Sequence, residues 1–338
     1  MNGLPELAEL DAILAIGGDA VRVREVAQVE ARGHRFPIRV ITLGTERPDA
    51  PAIGYFGGVH GLERIGTAVV LAYLRSLMVR LRWDDTLHAL LRHVHMVFMP
   101  LVNPAGMWLG TRANPDGIDL MRNSPAEASG SVPWLVGGQR LSAALPWFRG
   151  VAGAAMAPES IALCKTVEAR LFDRPLALTL DCHSGFGASD RIWVPYARSR
   201  EPIEHLPEAD ALRRLFDDTY ANHRYVFEPQ SLQYLAHGDL WDHLYDRALA
   251  RQRGSFLPLT LEMGSWLWVR KNPRQAFSRG GIFNPVATHR FQRVLRRHIS
   301  FLDFLARACA SHARWLPQEP ARSAARREVV HRWYGSPR

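Results

Sequence analysis

Short, almost wholly apolar runs alternate with stretches of helical spacing along this chain. Residues 23–30 and 36–43 flank the polar turn of Ala31, Arg32, Gly33, His34 and Arg35. Ile38, Val40, Ile41 and Thr42 make the second arm rich in β-branched residues, so the pair reads as a hairpin. Residues 52–59 are nearly all apolar and read as a strand buried on both faces. The stretch 64–82 carries Ile65, Ala68, Val69, Ala72, Leu77 and Leu81 at helical spacing. Further strands are expected at 94–102, 176–180 and 257–261. Helices are expected at 158–172, 210–222, 240–251 and 288–316; the last places Phe291, Val294, Leu295, Leu302, Leu305 and Cys309 on one face.

Strands alternating with helices imply an α/β fold, a mixed and mostly parallel sheet flanked by helices on both faces. No internal repeat and no long Pro/Gly/Ser linker divides the chain, so 1–316 reads as a single catalytic domain. Residues 317–338 read as a flexible basic tail. The irregular stretch 124–157, with Trp134 and Trp147, is long enough to be read as a functional loop.

Composition narrows the function classes. The chain has 338 residues, 47% of them hydrophobic, enough for a sizeable core. No apolar run approaches the roughly 18–20 residues that span a bilayer, and no membrane association is expected. Glu6, Glu9 and Asp11 precede any basic residue, the reverse of a secretory leader, which leads to the expectation of a cytoplasmic protein. The formal charge is +9, but of the 42 basic residues only Lys165 and Lys271 are lysines, and the arginines are spread along the chain. That bias looks like GC-rich codon usage, and no nucleic-acid partner is expected. Cys164, Cys182 and Cys309 are odd in number and far apart, so reduced, buried thiols are expected.

The candidate chemistry gathers at strand ends. His60 and Glu63 follow the apolar run 52–59, where a strand turns into a helix, and three-residue spacing lets both reach one metal ion. His183 follows the strand at 176–180, beside Asp181 and Cys182. In open α/β sheets ligands bind at this edge. Two histidines and a glutamate leave a fourth zinc position open, as a catalytic site requires. Glu262 ends another apolar strand; a carboxylate there is costly unless used, and it is the candidate general base and acid. By the period of two, Asp181 shares a strand face with His183 and can orient it; an ordinary structural hydrogen bond is the competing reading. Between the ligands, Arg112 and Arg122 flank the turn Pro115, Asp116, Gly117. Their planar forks suit a carboxylate or a developing oxyanion, although Arg122 also stands three residues from Asp119, the spacing of a local ion pair.

The ordered set His60/Glu63, then Arg122 in the run Asp119, Leu120, Met121, Arg122, Asn123, then His183, then Glu262, resembles the M14 zinc carboxypeptidase family over about residues 53–263. The resemblance implies an eight-stranded mixed sheet and one Zn2+ ion held by His60, Glu63 and His183. It also implies Glu262 as general base, Arg112 as oxyanion stabiliser and Arg122 as contact for a substrate carboxylate. Tyr245 is the match for the family's substrate-capping tyrosine. The sequence departs from the family at Met121, where carboxypeptidases carry an Asn that shares the carboxylate with the arginine; a thioether cannot donate a hydrogen bond.

The expected function is a zinc-dependent hydrolase of an amide bond, a metallocarboxypeptidase or peptide amidase acting on peptides. Its rival is a deacylase of N-acyl amino acids, of the succinylglutamate desuccinylase and aspartoacylase type, whose pocket would be closed and strongly cationic. A zinc-dependent binding module without activity is the alternative of another class, and it has no need of Glu262. Oligomeric state is not legible.

Overall fold

The computed structural model describes residues 3–278 and 280–335. In chain order its elements are α1 (Pro5–Gly17), β1 (Arg22–Ala31), β2 (His34–Gly44), β3 (Ala52–Gly57), α2 (Arg64–Arg80), α3 (Asp85–Leu91), β4 (His95–Met99) and α4 (Pro104–Leu109). After a long irregular stretch come α5 (Pro158–Arg170), β5 (Leu176–Ser184), β6 (Arg191–Val194), α6 (Leu206–Thr219), β7 (Val226–Pro229), α7 (Leu240–Ala250), β8 (Ser255–Met263), α8 (Trp266–Lys271), α9 (Thr288–Ala310) and α10 (Ala321–Tyr334).

Among the described residues the strands form one eight-stranded sheet in the order β1-β2-β4-β3-β5-β8-β6-β7. β4, β3, β5 and β8 run parallel at its centre; β1, β2 and the β6–β7 pair complete it through antiparallel neighbours. Every residue of β3, β4 and β5 is buried, which explains their unbroken apolar runs. Successive β3 side chains serve opposite helical layers. Tyr55 donates its hydroxyl to Leu302 O of α9 (2.8 Å) and packs edge-on against Tyr73 of α2, whereas Phe56 packs edge-on against Trp241 of α7.

The register sets up the site. β5 pairs with β8 so that His183 stands directly beside Glu262, and Gly57 at the end of β3 stands beside Cys182. Paired residues of adjacent parallel strands face the same side of a sheet, so one edge collects His183, Glu262 and the turn that carries His60. That turn is tight. Gly58 has φ 68°, and a Cβ on Gly61 would lie 2.3 Å from the backbone of Gly106 and Met107, so only glycine lets the loop reach α4.

The structure departs from the sequence reading in several elements. β6 and β7 have four residues each, too few to show a period, and β7 ends in Pro229. α1 alternates acidic and apolar residues without a clean stripe. β5 runs on to Ser184 and β8 to Met263, so His183 and Glu262 lie inside strands rather than beyond them. The helix expected at 288–316 stops at Ala310. The stretch 124–157 holds no helix or strand beyond a short turn at Leu120–Arg122 before it and a single bridge, Gln139 to Phe148. No helix among the described residues is long and apolar enough to cross a membrane.

The expected flexible tail is corrected. Residues 321–334 form α10, which lies on α6 with Val329 fully buried. The arginines read as a mobile basic run instead meet acids: Arg322 pairs with Glu204 and Glu208, and Arg332 with Asp210 and Glu328. Only Ser336, Pro337 and Arg338 of that tail lie outside the described residues.

One buried group makes stability depend on acid. His298 in α9 is 1% exposed, its Nδ1 2.8 Å from the Tyr225 hydroxyl, and burial pushes its pKa down to about 4. Between about pH 6.5 and 4 the unfolded chain binds this proton and the folded chain does not, so stability falls as pH falls through that window. The full effect is about 3 kcal/mol. Urea unfolding at pH 7 and pH 4.5 should show the loss, and a His298→Gln variant should show a smaller pH dependence over the same range.

Candidate metal centre and its cleft

His60, Glu63 and His183 converge. All three are buried, and their donor atoms lie within 4.8 Å of one another. His60 Nδ1 is 2.8 Å from Glu63 Oε1; His183 Nδ1 is 3.1 Å from Glu63 Oε2 and 3.2 Å from His60 Nδ1. Ligands at about 2.0–2.2 Å around a tetrahedral zinc stand roughly 3.3 Å apart, so the donor set fits the ion in spacing and in chemistry. The tautomers fit as well. His60 Nε2 faces Asp119 Oδ1 at 3.1 Å and His183 Nε2 faces Asp181 Oδ2 at 2.7 Å. Each carboxylate favours a proton on Nε2, which turns two Nδ1 lone pairs toward one point, an arrangement that calls for a cation.

Both orienting carboxylates are themselves held. Asp119 accepts from Arg112 Nε at 2.8 Å and from the Met121 backbone at 3.1 Å. Asp181 is fully buried; Trp241 Nε1 donates to its Oδ2 at 2.9 Å, while its Oδ1 has no hydrogen-bond partner. Glu63 ends the turn before α2 and spends its oxygens on the centre, accepting also from Ser184 N at 2.9 Å and Arg112 at 3.1 Å.

Charge in the site follows this packing. Burial alone would raise the Glu63 carboxyl, but His60 and His183 outweigh it and hold it below its ordinary value. Burial likewise opposes ionisation of Asp119, and Arg112 and His60 overcome it. Burial disfavours a charge on His183, yet Asp181 and Glu63 lift it well above the usual imidazole range, so the surroundings favour positive charge at this point. Glu262 goes the other way: burial and the charge of Glu63 push it up to about 8, against His183 and Arg112. Its Oε2 has no hydrogen-bond partner.

A cleft joins these groups to the two arginines. Its lining includes His60, His183, Glu262, Arg112, Arg122 and Met121, together with Trp193, Gln230, Tyr234, Asp239 and Thr260. Arg112 is fixed between Asp119 and Glu63, with its guanidinium 5.9 Å from the Trp147 ring centre. The local pair anticipated between Arg122 and Asp119 is absent; Arg112 takes that carboxylate. Arg122 is 3% exposed and meets only neutral acceptors, Val136 O at 3.3 Å, Met121 O at 3.4 Å and the Tyr234 hydroxyl at 3.4 Å. Among the described residues no carboxylate forms an ion pair with it. A buried guanidinium so placed is free to take an anion.

Tyr245 is a correction. It is fully buried, its hydroxyl accepts from His205 N at 3.0 Å, and it packs edge-on against Tyr196. The cleft residue on α7 is its N-cap, Asp239; six residues further is about 9 Å along the axis and round to another face. The tyrosine in the cleft is Tyr234. It sits in the loop after the turn Gln230–Leu232, where no periodic pattern marks it. Asp119, whose spacing suggests a pair with Arg122, instead heads the turn Leu120–Arg122 opposite His60.

Sheet and donor set together point to the zinc carboxypeptidase class. The family model for zinc carboxypeptidases, peptidase family M14, matches residues 22–264, and the chain belongs to that family. Its segment of 94 residues is 32% identical to carboxypeptidase SOL1 of Arabidopsis thaliana, covering 27% of this chain and 19% of that protein. A segment of 93 residues is 31% identical to carboxypeptidase D of Drosophila melanogaster, 25% of this chain and 7% of that one. These matches thus span less than a fifth of either relative's length. The fold resembles thrombin-activatable fibrinolysis inhibitor (TM-score 0.68, 19% identity, 91% of this chain and 74% of that one). The bovine form in complex with tick carboxypeptidase inhibitor gives a TM-score of 0.66 at 18% identity, covering 92% and 97%. Carboxypeptidase A of Helicoverpa armigera gives 0.55 at 18% identity, covering 86% and 71%.

Proposed function

We propose that this protein is a metallocarboxypeptidase that holds one zinc ion on His60, Glu63 and His183 and hydrolyses the terminal amide of a peptide. The observation that carries the reading is the union in one cleft of that donor set with Glu262 on the neighbouring strand and an Arg122 that forms no ion pair with any carboxylate among the described residues. Zinc in such a site supplies a Lewis acid that polarises a carbonyl and acidifies water. Glu262, beside His183 on the neighbouring strand, can take a proton from the attacking water and later give it to the leaving nitrogen. Arg112 offers positive charge where the tetrahedral oxyanion develops, held in place by Asp119 and Glu63. Arg122 takes the substrate's terminal carboxylate, and Tyr234, whose hydroxyl already reaches Arg122, closes on it in place of Tyr245.

The lining mixes the acid Asp239 and the aromatic walls Trp193 and Tyr234 with the two arginines, which suits a peptide better than the strongly cationic pocket expected of a small-molecule deacylase. Retention of Glu262 supports an enzyme over an inactive binding module. Met121 cannot donate a hydrogen bond beside Arg122, so the charge of the carboxylate is met by Arg122 alone. With zinc-loaded protein, peptides with a free C-terminus should turn over at least about tenfold faster than their amides, the loss expected for one charge-assisted contact. Equal rates on both, or cleavage confined to N-acyl amino acids, would move the reading to a peptide amidase or to a deacylase.

A further inference from the structure

A stripe of aromatic rings leaves the cleft and reaches solvent, and the zinc site does not need it. Trp193 and Tyr234 line the cleft itself. The Phe186 ring packs on both, at centroid distances of 5.1 and 5.9 Å, and Trp266 packs on Phe186 at 5.6 Å. Trp266 is 52% exposed. Its exposure is not looseness: the indole Nε1 donates to Gly185 O at 2.8 Å and its backbone N to Gly187 O at 3.0 Å. Both acceptors lie in the turn directly after the ligand strand β5, and Gly185 borders the centre, since a Cβ there would be 3.9 Å from Glu63 Oε1. A large ring tethered by its own hydrogen bonds and half in water gives contact area at little conformational cost, the character of a binding surface rather than of a core.

The stripe also has a direction. It starts at Tyr234, which touches Arg122, and runs outward through Phe186 to Trp266. A chain anchored by its terminal carboxylate on Arg122 therefore lies along it with the upstream residues outermost. At about 3.3 Å per extended residue, the two ring steps cover roughly three residues. We propose that Tyr234, Phe186 and Trp266 form a shelf for a large apolar or aromatic side chain on the acyl side of the scissile amide. The shelf selects peptides carrying such a residue third from the C-terminus, two places upstream of the one released. This inference rests on the peptidase reading above and names its substrate preference.

The test uses zinc-loaded protein and two peptides with the same free C-terminal and penultimate residues, the third residue from the end being Trp in one and Gly in the other. The Trp peptide should be preferred about tenfold in kcat/KM, the preference residing in KM, as expected for burial of part of an aromatic surface. In Trp266→Ala the ratio should fall toward one, and Trp266→Phe should keep most of it. A ratio near one in the unaltered protein, or a ratio that survives Trp266→Ala, overturns the shelf. The same two peptides titrated calorimetrically into zinc-loaded Glu262→Gln protein read binding without turnover. A Trp preference in binding, lost on adding Trp266→Ala to that variant, combined with no hydrolysis by the unaltered protein, sinks the peptidase reading and leaves the shelf standing. Hydrolysis without any preference sinks the shelf alone.

Discussion

Glu262→Gln protein is expected to bind zinc as fully as the unaltered chain and to lose roughly 10²- to 10⁴-fold in kcat. The substitution is nearly isosteric, and none of the three donors touching the centre is changed. What disappears is the ability to carry a proton. An ordinary surface glutamate would be a poor carrier near neutral pH because it rarely holds a proton there. Burial first, and the charge of Glu63 beside it, raise this one above the ordinary carboxyl value, which brings proton exchange closer to neutrality. Metal content by atomic absorption and single-turnover rates on one peptide settle the matter. Rates within a few-fold of the unaltered protein would remove Glu262 from the reaction, and loss of metal would make it a ligand instead.

The second large effect concerns metal affinity. His183→Ala removes one of three donors and should weaken zinc binding by more than the roughly 10- to 100-fold that an outer hydrogen-bond partner contributes. Asp181→Asn should fall within that smaller range. It keeps the volume of the side chain, but an amide that receives Trp241 Nε1 on its oxygen no longer offers a negative charge to His183 Nε2. Competition with a chelator ranks the three proteins. If Asp181→Asn binds zinc as tightly as the unaltered chain, the Asp181–His183 contact is structural only. The contrast matters because Asp181 is fully buried with one oxygen unpartnered, a costly placement that the orientation of a ligand would justify.

The central strands and the residues on them were legible because burial on both sheet faces leaves an unbroken apolar run, and a polar residue within it stands out. His183 and Glu262 are such residues, and the β5–β8 register sets them side by side. His60 and Glu63 were legible through the glycine turn that follows β3. Residues outside periodic elements fared worse. Tyr234 belongs to a loop whose path is set by packing around Arg122, which no local pattern encodes, whereas Tyr245 sits on a helix whose pattern shows that it is apolar on one side but not which neighbour that side meets. α10 was missed for a related reason: its arginines look solvated until the acids of α6, more than a hundred residues away, are brought beside them.

The centre and the substrate walls are built from different material. His183 and Glu262 stand on adjacent strands in the middle of the sheet, and both histidines are aimed by buried carboxylates. Most of the walls that would touch a substrate's side chains come from Tyr234, from the turn at Gly185 and from Trp266 at the head of α8, which lie outside the sheet; Trp193 of β6 is the exception. Changes there alter what is admitted while leaving the reacting groups in register. The architecture thus separates evolvability from catalysis: new substrate preferences can arise by exchange of loops, with no need to rebuild the chemistry each time.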